Sequence, residues 1–455
     1  MSEDNDQKKP KSGIVRRDFL KAGAGVAGGL LLSGGLGFSR LAQAAKSYPA
    51  IGNYPAGIQG SSVFMGIAVP RTGPYSAQGE DEIKGYQLAI DHINKGTSLA
   101  KAYAPGMNKG MLGKTIEFGI ADNQTKPNVA VQAISKFISD KKAMMVTGSV
   151  SSAVAIAAGK LCDRERTIYL PAITGSNATT GKDCQRYSFR ACHYAYTASK
   201  ALAPVIKDAI GSGKKVAYLT PDYTYGHSVY NSMKEFTEAQ GWTTVNNQLP
   251  PLGTSDFSTY LLNIANSGAD VLVNICFGRD AVISTKQAKQ FGLLDKMTLV
   301  MPYMAPFFAD EVGADLLQGV YGTTEFWWTL AEKNDMAKAF VDDFEKRNGR
   351  KPGWSAHIAF LQTMLWARAV QDADTFHPPT VVGQYEKGNT IQTDIGDVHW
   401  RAGDHQLVRP VYIIRGKKPS DMRNKEDYYD IVEGVPGEKV MPPLSKFGCK
   451  LGPVS

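Results

Sequence analysis

From Val63 onward the chain alternates short apolar runs with amphipathic stretches of helical period, and it does so in two successive series. A strand-like run over 63–69 precedes 79–94, where Ile83, Tyr86, Ile90 and Ile93 recur at spacings of 3, 4 and 3 and so share one helical face. Strand 115–121, a helix opened by Pro127 with Val131, Ile134 and Ile138 inward, strand 143–147, helix 151–162 and strand 167–173 continue the first series. The second begins near Lys214 with strand 216–220 and helix 226–240, stopped by Gly241. Helix 255–267, strand 271–277, helix 281–291 and strand 298–302 follow. Repeated βαβ order predicts an α/β chain with parallel sheets flanked by helices, because strands running the same way need a helix-length return between them. A long helix over 355–372 and a Pro/Gly-rich, meandering tail over 416–455 complete the pattern.

Upstream lies a different kind of segment. Val15-Arg16-Arg17-Asp18-Phe19-Leu20-Lys21 leads into a Gly/Ala/Leu-rich run over 22–38 and then Ala42-Gln43-Ala44. A charged stretch, a modest apolar stretch and an A-x-A site form an export signal, and the paired arginines assign it to the twin-arginine translocase. The apolar run is shorter than the roughly 20 residues of a membrane span and is loaded with glycine. The expectation is cleavage after Ala44 and a periplasmic mature protein, with no cysteine near that point to carry a lipid. Residues 23–28 also match G-x-G-x-x-G, but no strand precedes them and they lie in the removed segment, so they mark no nucleotide site.

Composition narrows the function. Without the leader 411 residues remain, too many for one compact core and suited to two lobes. The whole chain carries a net charge of +8, and the part after Ala44 about +5, with the charges scattered, which excludes a nucleic-acid partner. Seven histidines occur without H-x-H or H-E-x-x-H spacing, and no catalytic, cofactor or metal constellation is evident. Cys162, Cys184, Cys192, Cys276 and Cys449 show no C-x-x-C pair. In an oxidising compartment the expected disulfides are Cys162 with Cys184, at the end of a helix and of the loop that returns beside it, and secondarily Cys192 with Cys449. Cys276, ending the apolar run 271–275, is expected to stay a buried thiol.

Four strings in this order carry a family likeness: Thr72-Gly73-Pro74-Tyr75 with Gln78-Gly79, then 148–152, then Pro221-Asp222-Tyr223-Thr224-Tyr225-Gly226, then 253–258 ahead of Ala269-Asp270-Val271-Leu272. Together, from Val63 to about Arg415, the chain resembles the type I periplasmic solute-binding proteins of ABC transporters. The group in question is the leucine/isoleucine/valine-binding one, which serves uptake of branched-chain and other hydrophobic amino acids. The resemblance implies two Rossmann-like lobes joined by three hinge crossovers, near Cys192, Glu325 and Val398. Lobe 1 would combine 46–192 with 326–397, and lobe 2 would combine 193–325 with 398–455, tail included. It implies a non-enzymatic receptor that captures an amino acid or related small carboxylate or amide and hands it to a membrane permease. Two alternatives stand beside it: a ligand-sensing receptor of the same fold for a membrane signalling partner, and an exported cofactor-dependent enzyme.

In open α/β sheets, ligands lie beyond the carboxyl ends of the strands. Ser151 and Ser152 occupy that place after the third strand, where their amides and hydroxyls either hold a ligand carboxylate or cap the following helix. Thr174, Gly175 and Ser176 follow the next strand and should face the same point. Tyr75 and Gln78 belong to the first turn, Gln78 standing where several relatives place a large aromatic residue. Across the cleft the resemblance places Tyr225, Phe277 and Tyr303, and Asp222 either meets a ligand ammonium or serves as a turn aspartate. Arg71 and Arg279 either lie on solvent, as arginines more often do, or add a cation favouring a second carboxylate or an aromatic acid. Trp327 and Trp328 either line the cleft mouth or pack the hinge.

Overall fold

The computed structural model describes residues 60–454; the expected leader, its arginine pair and its cleavage point lie outside them. The first series comprises β1 (Ser62–Val69), α1 (Ser76–Lys95), α2 (Ser98–Tyr103), β2 (Thr115–Asp122), α3 (Pro127–Lys141), β3 (Met145–Gly148), α4 (Ser152–Arg164) and β4 (Ile168–Pro171). The second runs α5 (Ala195–Ile210), β5 (Lys215–Leu219), α6 (Thr224–Glu238), β6 (Thr243–Gln248), α7 (Ser258–Ala265), β7 (Val271–Asn274) and α8 (Arg279–Gln290). It continues through β8 (Thr298–Tyr303), α9 (Pro306–Val312), α10 (Ala314–Leu317) and β9 (Tyr321–Thr324). Then come α11 (Asp335–Asn348), α12 (Trp354–Ala373), α13 (Pro378–Glu386), β10 (Ile391–Thr393), β11 (Gly396–Arg401), β12 (Gln406–Val408), β13 (Val411–Gly416), β14 (Tyr429–Val435) and α14 (Gly437–Val440).

Two larger sheets and a small antiparallel one, β10-β11-β12, organise these elements. The four-stranded one is parallel throughout, in the order β2-β1-β3-β4. The seven-stranded one runs β14-β13-β9-β8-β7-β5-β6, parallel from β9 to β6 and antiparallel where β13 and β14 join. Strands covered on both faces read as unbroken apolar runs, and β7, Val-Leu-Val-Asn, is buried at every position. The face of α1 predicted from its spacing is the buried one, with Ile83, Tyr86, Ile90 and Ile93 all inward. It packs on α12, which is buried at every residue from 354 to 367 and therefore lacks a polar face. Gly85 permits that approach, because a Cβ there would stand 2.0 Å from the Ala356 carbonyl oxygen. Asp81 Oδ2, accepting from Ala356 N–H at 2.9 Å, fixes the same contact.

The chain passes between the sheets three times. The first passage leaves Arg190, whose backbone pairs on one side with β12 through His405 and Leu407; the neighbouring Phe189 pairs with β4 through Tyr169. The second is at Glu325, after β9, and the third at Arg409, between β12 and β13. The third falls later than Val398, because β11 and β12 form an antiparallel hairpin that continues the first sheet's edge through Arg190. The tail does not merely meander: β14 adds the edge strand next to β13.

The disulfide pairing differs from the expectation. Cys184 bonds Cys449, with Cα atoms 5.6 Å apart, while Cys162, Cys192 and Cys276 are buried thiols. Cys162 faces inward from α4 into an apolar cluster with Ile134, Val154 and Leu161, away from Cys184. Cys192 is held in the first passage with its Sγ against the Thr174 carbonyl oxygen at 3.6 Å. Before reaching Cys184, the tail touches the second half, where Lys446 Nζ lies 2.8 Å from Glu235 of α6. The bond thus ties residues 265 positions apart. Cys449→Ser is expected to lower unfolding stability by about 2–4 kcal/mol, since a long loop gains entropy once freed. Urea denaturation of the variant beside the parent measures it, and an unchanged midpoint would contradict a structural role for the tail.

Candidate functional site

The carboxyl ends of both sheets meet at one cavity. The first half contributes Val150 after β3, Ile173, Thr174 and Gly175 after β4, and Trp354 at the start of α12. From the second come Tyr223 and Tyr225 at the start of α6, Phe277 after β7 and Tyr303 ending β8, while Cys192, His193 and Glu325 belong to the passages. Strand order reverses between β1 and β3 and between β5 and β7, which is where open α/β sheets leave a crevice.

Aromatic rings fill most of that crevice. Tyr225 lies 5.7 Å from Tyr303 and 6.5 Å from Phe277, and Phe277 lies 5.8 Å from Tyr75 and 5.7 Å from Trp354, between ring centres. The remaining cavity, about 10 Å³ counted at the centre of a water-sized sphere, holds about one water. Gly175 makes this packing possible: a Cβ there would stand 2.8 Å from Tyr225 Cδ2. The halves also touch directly through Tyr75 Oη and Tyr223 Oη at 2.6 Å, and through Arg279 N–H donating to the Pro74 carbonyl oxygen at 3.0 Å. Ser176 Oγ meets Thr224 Oγ1 at 2.8 Å and Ser228 Oγ at 3.1 Å. This is a closed cleft.

A buried cluster of charged and polar groups joins the three passages. Glu325 Oε2 is 2.8 Å from Arg409 Nη1, its Oε1 is 3.1 Å from His193 Nδ1, and Oε1 accepts from His193 N–H at 2.9 Å. Arg409 Nη2 donates to the Glu325 carbonyl oxygen. The His193 ring stacks on Tyr303 at 5.0 Å, which couples the passages to the cavity wall. Burial alone would raise the Glu325 carboxyl, but the Arg409 charge and the hydrogen bonds from His193 outweigh it and hold the group below the usual carboxylate value.

Arg190 is the second buried cation. It donates from Nε to Gln406 Oε1 at 2.6 Å, from Nη1 to the carbonyl oxygens of Thr174 at 3.1 Å and Ser176 at 2.5 Å, and from Nη2 to Thr180 Oγ1. Its guanidinium sits 4.0 Å above the Tyr194 ring.

The structure sorts the expected site residues. Thr174, Gly175, Tyr225, Phe277 and Tyr303 line the cavity. Tyr75 reaches its edge through Phe277 and Tyr223, and Gln78 and Ser151 are buried without lining it. Ser152 Oγ accepts from Ser176 N–H at 3.1 Å, and Ser176 Oγ is held by α6, so both hydroxyls are occupied in building the closed form. Of the two readings of Asp222, the surface turn is the one whose position it occupies: it is exposed, pairs with His227 at 2.9 Å and does not line the cavity. Arg71, paired with Glu80, and Arg279 are also exposed, so neither supplies a cleft cation. Trp327 and Trp328 pack the second passage, Trp327 against Tyr429 at 5.0 Å, and neither lines the cavity. Trp354 had no local signal; Tyr223 lay in the 221–226 string without being given a role, and Glu325 was marked only as a passage.

Among the described residues no group of three or more His, Cys, Asp or Glu could hold a metal ion, and no helix is long and apolar enough to cross a membrane. Against this geometry, the family model for "Periplasmic binding protein" matches residues 62–421. The chain belongs to the periplasmic binding protein family. A "Leu/Ile/Val-binding protein homolog 8" of Brucella abortus (strain 2308) is 27% identical over 340 residues, 71% of this chain and 79% of that relative. A periplasmic binding protein from Burkholderia mallei superposes with a TM-score of 0.76 at 22% identity, covering 84% of this chain and 96% of that one. A solute-binding protein of an ABC transporter from Rhodopseudomonas palustris BisB5, in complex with 3,4-dihydroxy benzoic acid, gives 0.70 at 20% identity, covering 83% and 97%. These neighbours share the type I periplasmic-binding-protein fold: parallel sheets flanked by helices.

In this periplasmic binding protein, Glu325→Gln leaves Arg409 buried without its countercharge, a loss expected to cost about 3–5 kcal/mol of stability. Chemical denaturation at neutral pH measures the loss. A change under about 1 kcal/mol would show that the cluster is incidental to folding.

Proposed function

We propose that the protein is the soluble receptor of an ABC importer, exported by the twin-arginine route, cleaved after Ala44 and released into the periplasm. It captures an amino acid or a related small carboxylate between its two halves, closes by bending at the three passages, and presents the closed form to a membrane permease. The observation that carries this reading is the cavity at the carboxyl ends of both sheets, directly against the buried cluster that joins all three passages. The relatives' names as Leu/Ile/Val-binding homologues support the amino-acid end of the range, and the neighbour holding 3,4-dihydroxy benzoic acid supports the carboxylate end. The moving units are proposed to divide at Arg190, Glu325 and Arg409.

A ligand that binds only the folded protein should raise its stability by about 2.7 kcal/mol at a hundredfold excess over Kd. Small-angle scattering on the same sample should show compaction. Stabilisation without compaction would remove the hinge from the mechanism while leaving binding intact. For export, replacing Arg16 and Arg17 together by lysine should retain the precursor in the cytoplasm, because the guanidinium pair is read and not charge alone. Mature protein at its normal level in a periplasmic fraction would contradict that route.

A further inference from the structure

At the cavity wall the lining carboxylate is already paired, while a cation directly behind the wall is not. Glu325, the one carboxylate lining it, is engaged by Arg409 and His193. Asp222 is on the surface with His227. Asp280 is buried nearby, its Oδ2 accepting from Gly253 N–H at 2.7 Å and its Oδ1 unpartnered, and Glu82 of α1 is buried with neither oxygen paired, but neither residue lines the cavity. Arg190, by contrast, is fully buried and has no carboxylate oxygen within 4.0 Å among the described residues; its acceptors are neutral oxygens. Glu325 and Arg409 cancel. Arg190 stands directly behind the Thr174–Ser176 loop as a cation with no ion-pair partner, since Asp404, the carboxylate that acts on it, is itself paired with Arg401.

That loop is oriented by the charge. Arg190 holds the Thr174 and Ser176 carbonyls, and in a trans peptide the following N–H groups, of Gly175 and Asn177, point the opposite way. Asn177 N–H shows where that is, since it reaches Ser228 of α6 in the other half at 3.1 Å. A second observation marks the same spot: the Tyr303 hydroxyl is buried with no hydrogen-bond partner, and it stands 3.4 Å from where a Cβ on Gly175 would be. A phenol is costly to bury unpaired and offers one O–H donor. The rest of the wall is aromatic: Tyr223, Tyr225, Phe277 and Trp354.

We propose that the cleft selects a monocarboxylate with an aromatic or other flat apolar body and no ammonium group, its carboxylate accepting from Tyr303 Oη and Gly175 N–H under the unpaired charge of Arg190. This rests on the receptor reading above. An amino acid brings an ammonium into a cavity whose lining carboxylate, Glu325, is already engaged by Arg409 and His193, so it is desolvated there without a partner. The deaminated acid instead neutralises Arg190. Arg190 acts through the loop and is a positioning residue.

Calorimetry on the full mature chain tests this with matched pairs: 3-phenylpropanoate against phenylalanine, 4-methylpentanoate against leucine, and 3-phenylpropanamide to remove the charge. Each acid is expected to bind at least about tenfold tighter than its amino acid, and the phenyl acid at least about tenfold tighter than its amide. In Arg190→Gln the acid-to-amide ratio should collapse towards one; a merely structural role would weaken both ligands together and leave the ratio standing. If that variant does not fold, Tyr303→Phe, which removes only the hydroxyl, should reduce the same ratio. Amino acids binding as tightly as their deaminated acids would overturn the selectivity and leave the receptor reading intact. So would stabilisation by some other class of solute with none by these acids. If no small solute stabilises the protein, the receptor reading falls as well.

Discussion

The Glu325 carboxylate is the one group that touches all three places where the chain passes between its sheets. It accepts from the backbone of His193 in the first passage, sits in the second itself, and pairs with Arg409 in the third. An ion pair so deeply buried is not a strong source of net stability, because desolvation opposes the Coulomb attraction. Its effect is to make the arrangement all or none. Any rearrangement that separates the passages exposes an unpaired charge to the interior.

Everything at the cavity follows from what those passages bring together. Tyr303 is fixed from behind by the stacked His193 ring, and Gly175, lacking a side chain, lets Tyr225 lie against the opposite backbone. The hydroxyls of Ser176, Thr224 and Ser228 then join the halves at the rim, with Tyr75 and Tyr223 doing so on another edge. These are short, neutral hydrogen bonds between groups that water can equally well satisfy, each worth about 0.5–1.5 kcal/mol net. Closure built from such contacts is reversible. A ligand needs more room than the aromatic rings leave, so admission requires those rim contacts to part or the rings of Tyr225 and Phe277 to turn.

Much of the fold could be read from local periodicity. The limits of β1, α1, β2, α3 and α4 lie within a few residues of the spacing-based expectation, because apolar recurrence along one helix or strand needs no knowledge of the partner. What escaped was non-local. The passage at Arg409 was expected about ten residues earlier because the β11–β12 hairpin owes its place to Arg190, more than 200 residues away in sequence. The cysteine pairing failed for the same reason, since Cys449 comes to Cys184 only by way of the α6 surface. Helix α5 was not among the expected elements; it carries Pro204 in its interior, a residue that speaks against a helix when read locally. At the cavity, residues that directly follow strands were found by that rule; Trp354, which enters from a helix start, was not. Asp222 showed the rule's weakness, because a position after a strand does not say which way the side chain turns, and here His227 on the next helical turn draws it outward.

The account stands on one claim, that a small solute is held between the carboxyl ends of the two sheets. A crystal structure of the mature protein grown with its tightest-binding small carboxylate tests it most directly. The claim predicts ligand density bounded by Thr174 and Gly175 on one side and by Tyr225, Phe277 and Tyr303 on the other, with the Glu325–Arg409 pair unbroken. Density on any other surface, with this cavity still filled by its own aromatic rings, would contradict it.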